Sequence, residues 1–123
     1  MPKKTINYNN TIIYKIVCND INIKELYVGS TTDFRRRKSQ HKTACNYIIN
    51  KLKVYEMIRQ NEGWNNWQMV EIEKYPCNDG NEARARERYW FDHLNASMNM
   101  IKPYVTRDEV NENRRVINQM NNI

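Results

Sequence analysis

The sequence predicts an α+β domain in which a small three-stranded antiparallel sheet is flanked by helices. Three short segments are rich in β-branched and aromatic residues, as pleated, half-buried strands are. The segments between them carry helix caps and helical spacing, giving the order β-β-α-α-β-α-α. At 123 residues the chain suits one modest core rather than two.

The elements follow in order. Residues 1–10, MPKKTINYNN, are polar and are expected to be mobile. TIIYKIVC (Thr11 to Cys18) reads as the first strand, NDINIK as a polar turn and ELYVG (Glu25 to Gly29) as the second strand. Two strands joined by turn chemistry imply an antiparallel hairpin with a loop longer than the minimum. STTD offers Thr32 or Asp33 as the N-cap of a short helix, FRRRKSQHK, starting at Phe34. NKLKVYEMIRQNEG places Leu52, Tyr55 and Ile58 on one side of a second helix, with Gly63 as its stop. WQMVEIEKYP (Trp67 to Pro76) forms the third strand, with Val70 and Ile72 facing one way and the Trp64–Trp67 pair capping the sheet. DGNEARARERYWFDHLN begins with a capping box, Asp79 and Glu82. After SMNMIKP, TRDEVNENRRVINQMNN forms a terminal helix whose thin apolar stripe, Val110 and Ile117, docks weakly or frays. The expected division is a mobile 1–10, a folded 11–103 and a polar helix or tail over 104–123.

Twenty Lys and Arg against fourteen Asp and Glu leave a net charge of +6. Such a balance suits a polyanionic partner, since a basic surface concentrates nucleic acid. No apolar run approaches the roughly 20 residues that span a bilayer, and the start lacks a secretory h-region. Cys18, Cys45 and Cys77 are widely spaced with no CxxC, which disfavours a disulfide framework or zinc knuckle. The expected setting is therefore intracellular and reducing, cytoplasm or nucleus, with no membrane partner.

The candidate chemistry starts at YVGSTTDFRRRKSQH, where a strand ending in Gly runs into four consecutive cations. On a helix from Phe34, Arg37 and His41 are four apart and share a face, while Arg35, Arg36 and Lys38 spread around the rest. A guanidinium matches phosphate oxygens with paired donors and keeps its charge. In the late helix Ala83, Trp90, Phe91 and Leu94 form an apolar stripe whose remaining position is Glu87. A carboxylate there needs a positive partner; a salt bridge and a hard cation such as Mg²⁺ both satisfy it. Tyr14 lies on the strand face of Ile12 and Ile16, and Tyr27 lies beside Gly29. Either is ordinary packing unless cations pull its phenol pKa below ~10, when it becomes a general base.

Together these residues resemble the GIY-YIG nuclease family. Ile12-Ile13-Tyr14 matches the first tripeptide with Ile in place of Gly, and Tyr27-Val28-Gly29 matches the second. Gly29, Ser30, Arg37 and His41 meet the pattern that follows, Glu87 in ERYWFDHL matches the metal-binding Glu, and Asn99 in SMNMIKP matches the late Asn. The likeness runs from about Thr11 to Pro103 and is nearest to the compact, stand-alone versions of large DNA viruses and mobile elements. It implies an endonuclease that hydrolyses DNA phosphodiesters with one Mg²⁺ or Mn²⁺ per site, bound by Glu87. Arg37 would stabilise developing charge, Tyr14 or Tyr27 would take or orient the water's proton, and His41 would assist proton transfer or hold phosphate. Asn99 would orient the tyrosine or tighten the fold. Gly29 and Ser30 are supporting residues, and Arg35, Arg36, Lys38 and Lys42 would contact flanking phosphates without reading sequence. Low intrinsic specificity follows, because family members that select a site carry a separate recognition domain; a partner protein is the other source. Branched DNA or RNA are further possible substrates, and a monomer or weak dimer is expected. The rivals are a catalytically inactive nucleic-acid-binding module of the same fold and a protein-interaction domain presenting Trp64 and Trp67.

Overall fold

A computed structural model describes residues 5–99; the expected terminal helix lies outside the described residues. Three antiparallel strands, β1 (Ile12–Cys18), β2 (Leu26–Thr31) and β3 (Trp67–Lys74), form one sheet in the order β2-β1-β3. Two helices, α1 (Phe34–Asn46) and α2 (Lys53–Gln60), cover one face, and α3 (Gly80–His93) covers the other. The expected α+β class and sheet are the ones observed.

Strand alternation sorts the core. Tyr14 and Ile16 of β1 join Val54, Tyr55 and Ile58 of α2 and Met69 of β3 in the larger cluster. Ile13 and Val28 point the other way, against Ile72, Trp90, Phe91 and Leu94 in the smaller one. A β-bulge interrupts the alternation. Ile13 pairs with Glu73 but Tyr14 pairs with Glu71, leaving Ile72 as the extra residue of β3. Ile72 and Glu73 therefore both serve the α3 face: Ile72 packs, while Glu73 accepts from the Arg86 guanidinium and from Trp90 Nε1 at 2.9 Å. That clamp fixes the rotation of α3 about its axis, and with it the direction of Glu87.

Several local expectations are corrected. Residues 8–10 form a 3-10 turn capped by Asn7, and the Tyr8 carbonyl accepts from the Thr11 and Cys77 amides. The expected mobile segment therefore does not extend to Asn10. Strand β2 runs on through Ser30 and Thr31 because both continue the ladder with β1. Helix α1 is a full 13 residues, capped by Asp33 and carried past Lys42 by the buried Cys45. Leu52, expected on the core stripe, is the α2 N-cap and is exposed; Val54 takes its place beside Tyr55 and Ile58. Asp79 caps Glu82 as expected, but Glu82 reaches back to the amide of Asn78. Ile12 pairs with Thr31 and Lys74 in ordinary extended geometry, and among the described residues positive φ occurs only at Glu62, Gly63 and Asn95. Nothing there requires the glycine that Ile12 replaces.

The outer edge of β2 is closed. The Asn99 side chain accepts from Val28 N (3.1 Å) and donates to Val28 O (2.8 Å), while the amides of Ser97 and Met98 share Leu26 O. One amide thus supplies the donor and acceptor that a fourth strand would provide.

Candidate active site

Strand β1 and helices α1 and α2 bring four polar groups together, Tyr14, Arg37, His41 and Tyr55. Asp33 caps α1, so its first turn starts directly off β2, and the spacing of Arg37 and His41 aims both at the sheet. His41 is fully buried. Its Nε2 lies 2.7 Å from Tyr14 Oη and its Nδ1 lies 2.9 Å from Tyr55 Oη. Trp64 stacks on the imidazole at 6.4 Å between centroids, and Tyr27 meets its edge. Trp64 is therefore the roof over His41 rather than an exposed surface, and Trp67 is buried at the start of β3. Arg37 Nε donates to Tyr14 Oη at 3.4 Å, and Arg37 Nη1 donates to Gln40.

Gly29 makes this packing possible. A methyl group at position 29 would lie 2.5 Å from Tyr14 Oη and 2.6 Å from its Cζ. The cross-strand partner of Tyr14 is Gly29, so the phenol lies over the one residue with no side chain. The glycine is required for space, not for its backbone angles.

Electrostatics corrects one expectation. Burial pushes the Tyr14 and Tyr27 phenols up, and Arg37 offsets this only in part, so neither tyrosine is primed as a phenolate. His41 is held near 3 by burial first and by the Arg37 charge second; it is neutral, and being enclosed it cannot hold a phosphate. The unfolded chain binds a proton at His41 near pH 6.5 that the folded chain refuses, so stability falls as pH drops below that value. The slope is expected to approach ~1.4 kcal/mol per pH unit. Urea denaturation at pH 7.5 and pH 5 checks this, with His41→Gln expected to lose most of the pH 7.5-to-5 difference; an unchanged difference would refute it.

Glu87 stands on the α3 side of β2. It accepts from the Ser30 hydroxyl, and Ser30 faces α3 because it alternates with Gly29. Burial raises the Glu87 carboxyl, Ser30 works against that, and the charges of Arg84 and Arg37 lower it further. Glu87 in turn raises Tyr27 and Tyr14, so the groups on the two faces share one electrostatic neighbourhood around the β2 edge. No ion pair is formed at Glu87 among the described residues, which leaves the salt-bridge alternative without support. An open cleft of about 390 Å³ lies beside the carboxylate, lined by the hydroxyl-bearing residues Tyr8, Thr11, Ser30, Thr31 and Thr32 and by Arg84.

The remaining sequence candidates fall into two groups. Arg35, Arg36, Lys38 and Lys42 are exposed on the outer faces of α1, away from the buried network. Asn99 holds the β2 backbone between Tyr27 and Gly29, and among the described residues its side-chain hydrogen bonds go to the Val28 backbone. The sequence reading missed Tyr55 as a partner of His41. Its signal is a phenol on an otherwise apolar helix stripe, which a core position does not need. It also missed Arg84.

The description "GIY-YIG catalytic domain" fits residues 10–101 of the chain. Among solved structures, the "Structure of the Catalytic Domain of Homing Endonuclease I-TevI" is similar with a TM-score of 0.61 and 23% identity. That similarity covers 74% of this chain and 98% of the other. No curated protein matches the chain.

Proposed function

Since the chain belongs to the GIY-YIG family and is an endonuclease of that type, we propose that it hydrolyses DNA phosphodiesters with one divalent cation per site, Mg²⁺ or Mn²⁺, and with little sequence selectivity of its own. The observation that carries the reading is Glu87: a desolvated carboxylate, steadied by Ser30, beside a cleft of oxygen donors and near Arg37. A single desolvated carboxylate suits a hard cation that keeps water and phosphate oxygens as its other ligands. Among the described residues no group of three or more His, Cys, Asp or Glu gathers at any point, so a cation at Glu87 would have this carboxylate as its acidic ligand.

When bound, the cation supplies Lewis-acid stabilisation of the charge that develops in phosphoryl transfer. The protein's residues do the rest. Glu87 is the protein ligand and Ser30 orients it. Arg37, anchored through Nε on Tyr14, presents its terminal N–H groups to phosphoryl oxygens. Tyr14, enclosed and hydrogen-bonded to the neutral His41, holds Arg37 in place rather than meeting the water itself. His41 Nε2 accepts from the Tyr14 hydroxyl when its Nδ1 proton is donated to Tyr55. Tyr27, the less buried phenol, orients the water. The exposed α1 cations track phosphates, a contact that carries no base information. The three unpaired cysteines fit a reducing compartment.

Metal removal tests the reading. Supercoiled plasmid is expected to become nicked or linear with Mg²⁺, to stay intact in EDTA, and to be cut again when Mg²⁺ is restored. Salt-sensitive binding with no cutting at any metal concentration would favour the inactive binding module. One sharply preferred sequence in a cleavage library would refute low selectivity.

A further inference from the structure

Helix α3 carries three arginines at alternate positions, 84, 86 and 88, and they are not equivalent. Arg86 is paired with Glu73 and packed against the rings of Tyr75, Tyr89 and Trp90. Arg88 is paired with Asp92. Arg84 has no carboxylate ion-pair partner among the described residues; its Nη2 donates to the neutral Asn81 side chain at 2.7 Å. It is also the arginine that lines the cleft beside Glu87, one helical turn away from it.

The cleft is built for an anion next to the reacting one. Its far wall is the 3-10 turn, where Tyr8 stands over Gly80: a methyl there would lie 3.2 Å from Tyr8 Oη and 3.3 Å from Arg84 Nη1. The two donors therefore meet above the start of α3. Of the lining hydroxyls, Thr11 and Thr31 are spent on backbone carbonyls and Ser30 on Glu87. The side-chain hydroxyls of Tyr8 and Thr32 make no hydrogen bond among the described residues and remain available, the Tyr8 bonds being those of its carbonyl. An arginine with two hydroxyls is a common phosphate-contact set. Glu87 feels the charge of Arg84 as well as that of Arg37, so a DNA strand laid across it meets one guanidinium from each side of the sheet.

We propose that the cleft between the Tyr8 turn and α3 is a second phosphate subsite, in which Arg84, Tyr8 and Thr32 hold the phosphate adjacent to the scissile one. The subsite rests on the nuclease reading for the word scissile, but its charge contact with DNA does not. Arg37 and Arg84 together would fix which way the strand runs through the site.

Two measurements test it. In binding without metal, Arg84→Ala is expected to lower the slope of log K against log salt by about 0.9, the share of one phosphate. An unchanged slope overturns the proposal whether or not the protein cuts. In cleavage, single neutral methylphosphonates are placed at each phosphate flanking the mapped cut. The wild type is expected to lose about tenfold in kcat/KM at one flanking position, and Arg84→Ala is expected to be indifferent to that same change. Equal penalties in both proteins overturn the adjacency. Wild-type protein that binds but never cuts would sink the nuclease reading while leaving the slope comparison decisive for the subsite.

Discussion

Glu87→Gln is expected to abolish cleavage while leaving the fold as stable as wild type, or more so. Loss of the one carboxylate that the described residues place at the proposed cation site should lower kcat/KM by about three orders of magnitude or more, equivalent to ~4 kcal/mol of transition-state stabilisation. Stability should move the other way. The Glu87 carboxyl is raised by burial, so its ionised form is a burden on the folded state above its folded pKa. A neutral amide keeps the shape, can still accept from Ser30, and removes that burden. The difference in unfolding free energy between variant and wild type should be greatest near neutral pH. It should shrink as pH falls through the Glu87 range, because the wild-type group then protonates. Plasmid nicking and urea melts at two pH values read both halves. A Gln variant that cuts normally, or one that unfolds far more easily, would contradict the role assigned to Glu87.

Gly29→Ala is expected to damage stability and catalysis together. In an ordinary strand this change is tolerated, because alanine restricts the unfolded chain. Here the new methyl would meet Tyr14 Oη at 2.5 Å, Tyr14 Cζ at 2.6 Å and Tyr27 Cε1 at 3.0 Å. Tyr14 is enclosed by His41, Phe34 and Tyr27 and has no free direction in which to retreat. Overpacking of this kind costs about 1–3 kcal/mol, and displacement of the phenol breaks its bond to His41. Cleavage should fall by about two orders of magnitude, because Arg37 loses its Tyr14 anchor and the Tyr27 ring is pushed aside with it. The control is Tyr14→Leu: adding Gly29→Ala to that background should cost much less stability, since the obstructing ring atoms are gone. An equal cost in both backgrounds would mean that the clash is not with Tyr14.

How far the sequence reaches into this molecule depends on whether the cause is local. The strands, the Asp79 cap and the Arg37–His41 face follow from near neighbours in the chain, and they appear as expected. Glu87 was legible because a carboxylate on an apolar helix stripe is costly wherever the helix docks. The bulge at Ile72 was not legible, because it arises from two strands about 60 residues apart settling their register. Tyr55 reads as core until a histidine from another helix is known to face it. The tyrosine pKa expectation failed for the same reason: it counted nearby charge, which spacing shows, and left out burial, which only the assembled fold shows. Arg84 looked like one cation among many until its neighbours were found ion-paired.

The closed flank of β2 sets a boundary for any shortened form of this protein. A fragment ending at Leu94 would keep every strand and helix described here, along with Glu87 and Arg37. It would lack Asn99, however, and would leave the outward amide and carbonyl of Val28 unmet on a strand that bears Tyr27 and Gly29. Such a strand is a template for its own copies, so the fragment would self-associate through the surface that should meet DNA. The smallest soluble active piece therefore extends at least through Asn99, beyond the last helix that carries chemistry.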